Sequence, residues 1–473
     1  MSLPVVTTIQ PLAGIERNQR FLDAFKELLY RNYRRSSSLK YWFRRRLTPA
    51  GLLVLAGMLA AGGIGIDTNL TVAYQGFTLL LALLLVSFGW RFGFRPNVSA
   101  RRFLPRYGTA GIPLKYRVEL VNHSKKVERS LTLLDNPADP RPTLKEFIEI
   151  PEPGEARRNA FDRTFCYYRW SWLTARKQTA HVREHALPPL APGVKTDVTV
   201  ELLPLRRGMV HLRSMTVAAP DPFGLVRSLR DIAAPQSLLV LPKRYFIPTL
   251  ALPGTRQYQQ GGVALAASVG ESEEFMSLRD YRRGDPLRHV HWRSSVKTGE
   301  LIVKEFQDEF FVRHALILDT FLDRPQDQIF EEAVSIAASF ACTIQTQDSL
   351  LDLMFVGPQA FCFTAGRGVG HTEQILEILA SVNPCTEQPF DRLEHLVMQH
   401  LAAVSGCIAV FLDWDEARRN LVRKIEAQGI PLKVLVVTDA SSKRRIEAIP
   451  VAERPASFHI LEAGRIAEGL LRL

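Results

Sequence analysis

The chain has 473 residues, 46% hydrophobic and 23% charged, which is ordinary for a folded protein of two or three domains. Its five cysteines lack CxxC spacing, which argues against a disulfide framework and a cysteine-rich zinc site. The net charge of +12 lies almost entirely at the N-terminal end, since residues 1–110 carry 15 Lys/Arg and 4 Asp/Glu. Residues 111–473 carry 45 Lys/Arg and 44 Asp/Glu and are close to neutral, so nucleic-acid binding is not expected.

Two uncharged apolar runs follow a basic N-terminal segment (residues 1–47). They cover residues 49–66 and 70–90, and each approaches the roughly 20 residues that a helix needs to cross a bilayer. The pattern predicts a transmembrane helical hairpin over residues 48–91. Arginines flank both outer ends and none lies in the turn, so the positive-inside rule predicts a cell inner membrane protein with both termini cytoplasmic. The lipid bilayer is then its first partner.

An amphipathic pattern precedes the hairpin at residues 15–33. It predicts a helix that lies along the membrane surface or packs against the rest of the protein.

Short alternating stretches mark residues 96–242 and predict strands of a β-sandwich domain. Within it, Asp221-Pro222-Phe223-Gly224-Leu225 predicts a tight turn, because Asp-Pro opens turns and Gly224 tolerates a positive φ. We interpret Asp221 and Gly224 as structural, with a binding role as the alternative. Residues 151–195 show few strand signals and many arginines and aromatic residues, and their role stays open.

A linker, residues 243–312, holds the densest cluster of polar groups in the chain, in residues 282–306; together with Tyr281 these residues are called here the signature segment. The cluster resembles the signature of a bacterial family, domain of unknown function 58: Tyr-x-x-Gly-Asp-x-x-Arg-x-Ile-x-Trp-x-x-(Ser/Ala)-x-(Lys/Arg)-x-x-x-Leu-x-Val-Lys-Glu. The positions in register are Tyr281, Gly284, Asp285, Arg288, Trp292, Ser295, Lys297, Leu301, Val303, Lys304 and Glu305. Val290 replaces the usual Ile, and the Asp221 motif also occurs in that family before the last strand of its β region.

Four hypotheses remain open for the signature segment. His289 and His291 could bind a metal, or His291 could serve as the base for Ser294 or Ser295 as a nucleophile, although no nucleophile elbow surrounds either serine. Alternatively, Trp292 fills a core while a charged network of Asp285, Arg288, Lys304 and Glu305 locks two domains together. In the last hypothesis the arginines and aromatic residues form a protein interface.

Residues 313–473 alternate apolar strands with helices, which predicts a doubly wound α/β domain. Asp319, Asp413 and Asp439 end three of the strands, where ligands bind in such sheets. The order resembles a von Willebrand factor A domain, which implies a site for one divalent cation, usually magnesium. Asp319, Asp323, Thr372 and Asp413 are the candidate ligands, but Phe321 stands where the family has a serine and Asp323 stands for another.

The predicted architecture is therefore a two-helix transmembrane hairpin, a β-sandwich domain and an α/β von Willebrand factor A-like domain. The resemblance implies a non-enzymatic adaptor that presents its α/β domain to a MoxR-type AAA+ ATPase, with no cofactor beyond that candidate magnesium. The alternative is a metal- or His-dependent enzyme at the cytoplasmic membrane surface.

Overall fold

The computed structural model describes residues 12–473 except 65–70, 91–92, 94–95, 249–274, 284, 286, 307–311, 323–326, 345–348, 366–368 and 451–453. The chain forms two compact units, Met1–Lys243 and Arg244–Leu473.

Helices and strands alternate irregularly in the first unit. Its helices are α1 (Leu12–Arg46), α2 (Pro49–Ile64), α3 (Thr71–Trp90), α4 (Leu144–Glu149), α5 (Ala160–Phe165) and α6 (Tyr167–Lys177). Its strands are β1 (Val98–Phe103), β2 (Tyr107–Thr109), β3 (Leu114–Asn122), β4 (Thr132–Pro137), β5 (Ala180–Val182), β6 (His185–Ala186), β7 (Lys195–Pro204), β8 (Gly208–Pro220) and β9 (Arg227–Leu241).

These strands form two sheets that share one apolar core. One sheet has the order β1-β3-β7-β5 and the other β2-β9-β8-β4-β6. Alternate side chains of β3 and β7 point into the core, as the period-two sequence pattern predicts. They meet apolar residues of β4, β8 and β9, among them Leu133, Met215 and Val240. Two facing sheets around one core make this domain a sandwich.

Helix α1 packs against a helical insert between β4 and β5. Tyr30 of α1 is buried with Phe147 of α4 and Trp170 of α6, and its hydroxyl donates to the Pro142 carbonyl at 3.2 Å. The Tyr33 hydroxyl donates to the Phe165 carbonyl at 2.8 Å. This part of α1 is therefore a packed helix, and the insert gives a structural role to residues that the sequence leaves unassigned.

The two apolar helices differ in length. Among the described residues, Val72–Trp90 is the one helical stretch long and apolar enough to cross a membrane, by length and composition. Leu79 of α3 is 69% exposed, so α3 is not a buried core helix of the chain. Helix α2 has 16 residues, about 24 Å at 1.5 Å per residue, against a hydrocarbon core of about 30 Å. The structure supports one of the two predicted spans.

The second unit contains a six-stranded sheet and a separate two-stranded sheet. Its strands are β10 (Phe275–Asp280), β11 (Ile302–Phe306), β12 (Val312–Leu318), β13 (Ser349–Val356), β14 (Ala360–Ala365), β15 (Gly406–Phe411), β16 (Leu432–Thr438) and β17 (Phe458–Glu462). Its helices are α7 (Trp292–Thr298), α8 (Asp327–Thr343), α9 (Val369–Ser381), α10 (Asp391–His400), α11 (Glu416–Ala427), α12 (Ala440–Glu447) and α13 (Ile466–Leu470).

The large sheet has the order β14-β13-β12-β15-β16-β17, with β14 antiparallel to β13 and the other pairs parallel. Counted along the chain, this is the order 3-2-1-4-5-6 of a doubly wound sheet. Strands β15 and β16 are buried along their whole length, because both faces of such a sheet are covered. The predicted α/β organisation of this region is confirmed. Strands β10 and β11 pair antiparallel outside this sheet; β10 precedes the signature segment and β11 is its last part.

Candidate functional site

The signature segment begins with a turn held by Asp285. Its carboxylate accepts two hydrogen bonds from the Arg279 guanidinium on β10, at 2.7 and 2.8 Å, and a third from the Arg282 amide at 2.7 Å. These bonds favour the charged carboxylate, and the Arg279 guanidinium above all lowers the pKa of Asp285 to about 2. Two parallel hydrogen bonds between a planar guanidinium and a carboxylate fix the orientation of the two groups as well as the distance between them. This turn therefore has one preferred conformation.

Helix α7 is joined to β11 through Ser295. The Ser295 hydroxyl accepts from the Ile302 amide at 2.9 Å and donates to the His291 carbonyl at 3.2 Å. The His291 amide donates to the Ile302 carbonyl at 2.8 Å. Beneath this junction Val290 and Val303 are buried. The turn, α7 and β11 therefore form one ordered local unit.

Apolar side chains of this unit face solvent. Trp292 is 62% exposed and Val296 is 84% exposed, and they lie four residues apart on one face of α7. Leu287, just before the helix, is 65% exposed. We call Leu287, Trp292 and Val296 the outward face. The expectation that Trp292 fills a core is wrong, because α7 buries Ser295 and turns its tryptophan away from the local core.

The remaining signature residues lie apart from this face. Tyr281 is half-buried and its amide donates to the Leu301 carbonyl at 2.8 Å; Lys297 is exposed and Lys304 half-buried. Asp285 pairs with Arg279, a residue outside the predicted network of charges. Gly284 and the side chains of Arg288 and Glu305 lie outside the described residues.

A histidine and a serine meet in the first turn of α7. His291 Nδ1 lies 2.7 Å from the Ser294 hydroxyl oxygen. A serine beside an imidazole is one component of nucleophilic catalysis, which also needs a third group to orient the base. Among the residues that the structure describes, none forms a hydrogen bond that orients the other ring nitrogen of His291. His291 is the N-cap of α7 and Ser294 is the third residue of that helix, so the pair is a local contact at the start of the helix.

A buried carboxylate lies at the end of β12, at the switch point of the sheet. Asp319 accepts hydrogen bonds from the Phe321 amide at 2.9 Å and the Leu412 amide at 3.0 Å. The Arg418 guanidinium donates to it at 2.6 Å, and both side chains are buried. Arg418 also donates to the Phe321 carbonyl at 3.1 Å. A fixed cation of the protein therefore compensates the charge of Asp319.

Of the other predicted metal ligands, one has an arginine as its partner. Asp413 pairs with Arg445 at 2.7 Å. Thr372 is half-buried on α9, and Asp323 lies outside the described residues. Among the residues that are described, no group of three or more His, Cys, Asp or Glu side chains could hold a metal ion.

In the first unit, the predicted turn at residues 221–225, called here the Asp221 turn, is built around a buried carboxylate. Asp221 is 4% exposed and accepts from the amides of Phe223 at 3.2 Å, Leu225 at 2.7 Å and Val226 at 2.8 Å. Gly224 has a φ of +68°, which glycine adopts without strain. All the polar atoms of Asp221 are used inside the turn, so it is a structural element.

This turn contacts the start of α2. The Thr48 hydroxyl donates to the Gly224 carbonyl at 2.6 Å, and the Thr48 amide donates to the Leu225 carbonyl at 3.1 Å. The backbone of Gly51 comes so close that a Cβ there would lie 2.1 Å from the Leu225 oxygen. Leu47, Leu225 and Val226 form a buried cluster against side chains of both apolar helices, which are Val54, Leu55, Leu83 and Phe88.

Sequence reasoning missed Thr48, Gly51, Arg279 and Arg418. Thr48 and Arg418 carry no signal in the sequence, because each acts on a partner more than 90 residues away. Arg279 lies six residues before Asp285 and was outside the family pattern. Gly51 is one of several glycines in the first apolar run, and nothing in the sequence marks it as the one that lies against the Leu225 oxygen.

Residues 277–446 match the model of the family described as "Protein of unknown function DUF58". A curated relative, "Uncharacterized protein YeaD" of Bacillus subtilis (strain 168), is 25% identical over 205 residues, which cover 42% of this chain and 50% of that protein. The match thus spans about half the length of that relative.

Two solved structures have a partial likeness to the chain. E. coli alpha-2-macroglobulin is 15% identical over 31% of this chain and 7% of its own, with a TM-score of 0.18. The CARDB domain of the PF1109 protein from Pyrococcus furiosus is 12% identical over 31% of this chain and 89% of its own, with a TM-score of 0.17. Scores this low do not establish a shared fold.

Proposed function

Starting from a chain that belongs to the DUF58 family over residues 277–446, we propose that this protein is a membrane-anchored, non-enzymatic adaptor. Its α/β domain is presented to a cytoplasmic protein partner, for which a MoxR-type AAA+ ATPase is our candidate. The outward face carries this proposal. An exposed tryptophan on an ordered helix is the kind of side chain that dominates binding energy at protein interfaces.

The ordered setting of the outward face supports a binding role. Asp285, Arg279 and Ser295 hold the turn, α7 and β11 together by side-chain hydrogen bonds. A face that is already ordered loses little conformational entropy when a partner binds. Arg293 and Lys297 border the apolar side chains and are exposed, which favours a partner with acidic residues around an apolar pocket.

The membrane anchor in this proposal is the pair α2 and α3. The exposed apolar side chains of α3 support a span, and the arginines at both outer ends of the pair favour a cytoplasmic position for both termini. For α2 to span as well, the bilayer would have to thin around it. The proposal places the protein in the inner membrane with two spans.

The α/β domain in this proposal is von Willebrand factor A-like and works without a resident ion. Its strand order supports the likeness, and the guanidinium of Arg418 beside Asp319 supports metal independence. Calorimetric titration of Mg²⁺ into the full chain tests this point. We expect equal heats for the parent and for Asp319→Ala; a saturable signal lost in Asp319→Ala would contradict it.

Capture of the partner tests the adaptor hypothesis. The full chain, solubilised in mild detergent from its own cells, is expected to retain an AAA+ ATPase. The double substitution Trp292→Ala with Val296→Ser should reduce the retained ATPase by about ten-fold or more, since truncating a central aromatic residue commonly costs 2 kcal/mol or more. Leu471→Ala, at another exposed apolar residue (60%), is the matched control and should retain it fully. Equal recovery by all three chains, or none by the parent, would contradict the proposal.

An enzymatic function is the second candidate, and the contact of His291 with Ser294 favours it. A serine-directed fluorophosphonate probe tests it on the full chain. Labelling that disappears in both Ser294→Ala and His291→Ala would support a hydrolase. Absence of labelling in the parent chain would leave the adaptor as the better account.

A further inference from the structure

Phe223 is exposed in a place where the fold gives it no internal role. It lies in the Asp221 turn, whose backbone is held by three hydrogen bonds to a buried carboxylate, yet its side chain is 54% exposed. Pro222 beside it is exposed too. The turn therefore holds a phenyl ring away from the sandwich core while Leu225 and Val226 are buried below it.

The position of this ring is set by α2. Thr48 binds the carbonyls of Gly224 and Leu225, and Gly51 lies against the Leu225 oxygen. The tip of the turn thus lies beside the first turn of an apolar helix. Leu52 and Leu53 of that turn are themselves 46% and 76% exposed. Exposed apolar side chains therefore occur both at the tip of the turn and in the first turn of the helix that docks against it.

We propose that Phe223 inserts into the lipid surface of the bilayer in which α2 and α3 are anchored, so that the Asp221 turn is a second, peripheral membrane contact of the sandwich domain. This inference rests on the proposed membrane anchor. A helix that enters a membrane at Thr48 places the adjacent turn at the depth of the headgroups and the first acyl carbons. Burial of the phenyl ring and of Pro222 there removes apolar surface from water without opening the fold.

This contact would limit how the sandwich moves relative to the membrane. One attachment through Leu47 and Thr48 leaves a domain free to tilt, whereas a second contact at the turn restricts it. The hydrogen bonds of Asp221 supply the stiffness that such a contact needs, because a loose loop would lose entropy on insertion.

Photo-crosslinking to lipid tests the proposal in the full chain, reconstituted in vesicles of phosphatidylethanolamine and phosphatidylglycerol. The photoreactive residue p-benzoylphenylalanine replaces Phe223, Leu53 or Met209, one at a time. Met209 is the matched control: it is 49% exposed, but it lies near the other end of the 13-residue strand β8, about 40 Å along the strand from Asp221. Lipid adducts are counted by mass spectrometry.

We expect adducts at residue 223 to approach those at residue 53 and to exceed those at residue 209 by about ten-fold or more. Adducts at residue 53 with none at 223 would overturn the inference and leave the anchor in place. Adducts at neither residue would show that the proposed anchor itself is wrong. Crosslinks from residue 223 to a protein instead of lipid would also overturn it, because the turn would then be a protein interface.

Discussion

Two turns of this protein are each held by an aspartate that precedes a proline in the sequence, and the two carboxylates are used in opposite ways. The Asp221 carboxylate is buried and binds only backbone amides. The Asp285 carboxylate is nearer to solvent and binds a guanidinium from the preceding strand. Each turn carries an exposed apolar residue beyond its proline, Phe223 in one and Leu287 in the other.

The difference lies in what each turn is attached to. The Asp221 turn docks on α2 through Thr48 and a buried apolar cluster, so it joins two parts of the first unit. The turn at Asp285 joins β10 to α7 and leaves the outward face in solvent. The Asp221 carboxylate, which binds buried amides, therefore helps to attach a turn to a helix. The Asp285 carboxylate, which binds an arginine, helps to hold a helix whose apolar side chains are exposed.

Removal of the Asp221 carboxylate should have the largest effect on stability. Asp221→Ala leaves three amides, two of them in buried hydrogen bonds, without an acceptor. Hydrogen bonds to charged groups contribute about 1.5–3 kcal/mol each and are not additive, so we expect a loss of about 3 kcal/mol or more. Urea unfolding of the full chain in detergent measures it. Asp221→Asn, which keeps one carbonyl oxygen, should lose less; equal losses would show that the charge matters more than the amides.

A methyl group at Gly51 should have the next largest effect. Gly51→Ala places a Cβ 2.1 Å from the Leu225 oxygen, which forces α2 and the turn apart. Overpacking of this kind costs about 1–3 kcal/mol. Gly63→Ala, in the same helix with nothing within 4 Å of its Cβ, is the matched control and should be neutral or slightly stabilising. Thermal unfolding compares the two, and equal midpoints would mean that the turn and helix do not dock this closely.

The contribution of the Asp285 carboxylate to the stability of the protein should depend on pH. Arg279 lowers the pKa of Asp285 to about 2, below the value of about 4 for an unfolded chain. The stabilisation is therefore complete above about pH 4 and is lost as the pH falls towards about 2. Unfolding midpoints of the parent and Asp285→Asn should differ most near neutral pH and converge in acid. A constant difference across that range would contradict the ion pair.

Truncation of the outward face should have the smallest effect on stability. Trp292→Ala with Val296→Ser removes side chains that face solvent, and such substitutions usually change stability by less than about 0.5 kcal/mol. The unfolding midpoint in urea should therefore match the parent. A loss above about 1 kcal/mol would show that other parts of the chain cover this face, and the contrast between the two turns would fail.

The sequence predicted secondary structure correctly where the hydrophobic residues follow a regular local period. Alternation in residues 114–121 predicted β3, and buried strands alternating with helices predicted the α/β sheet, because both patterns follow from which faces are buried. It predicted the turn at Asp221 because Asp-Pro and glycine have local conformational preferences. It left open whether Trp292 fills a core or faces a partner, since a tryptophan amid polar residues gives no local sign of which way its helix will face.

By itself, then, the sequence determined the element types, the turn at Asp221 and the family resemblance, all of which depend on residues close together in the chain. Only the tertiary structure decided the partners of the buried charges. Arg418 reaches Asp319 across 99 residues and Thr48 reaches Gly224 across 176. No local preference encodes such contacts, because they arise from the way that the packed elements bring distant side chains together.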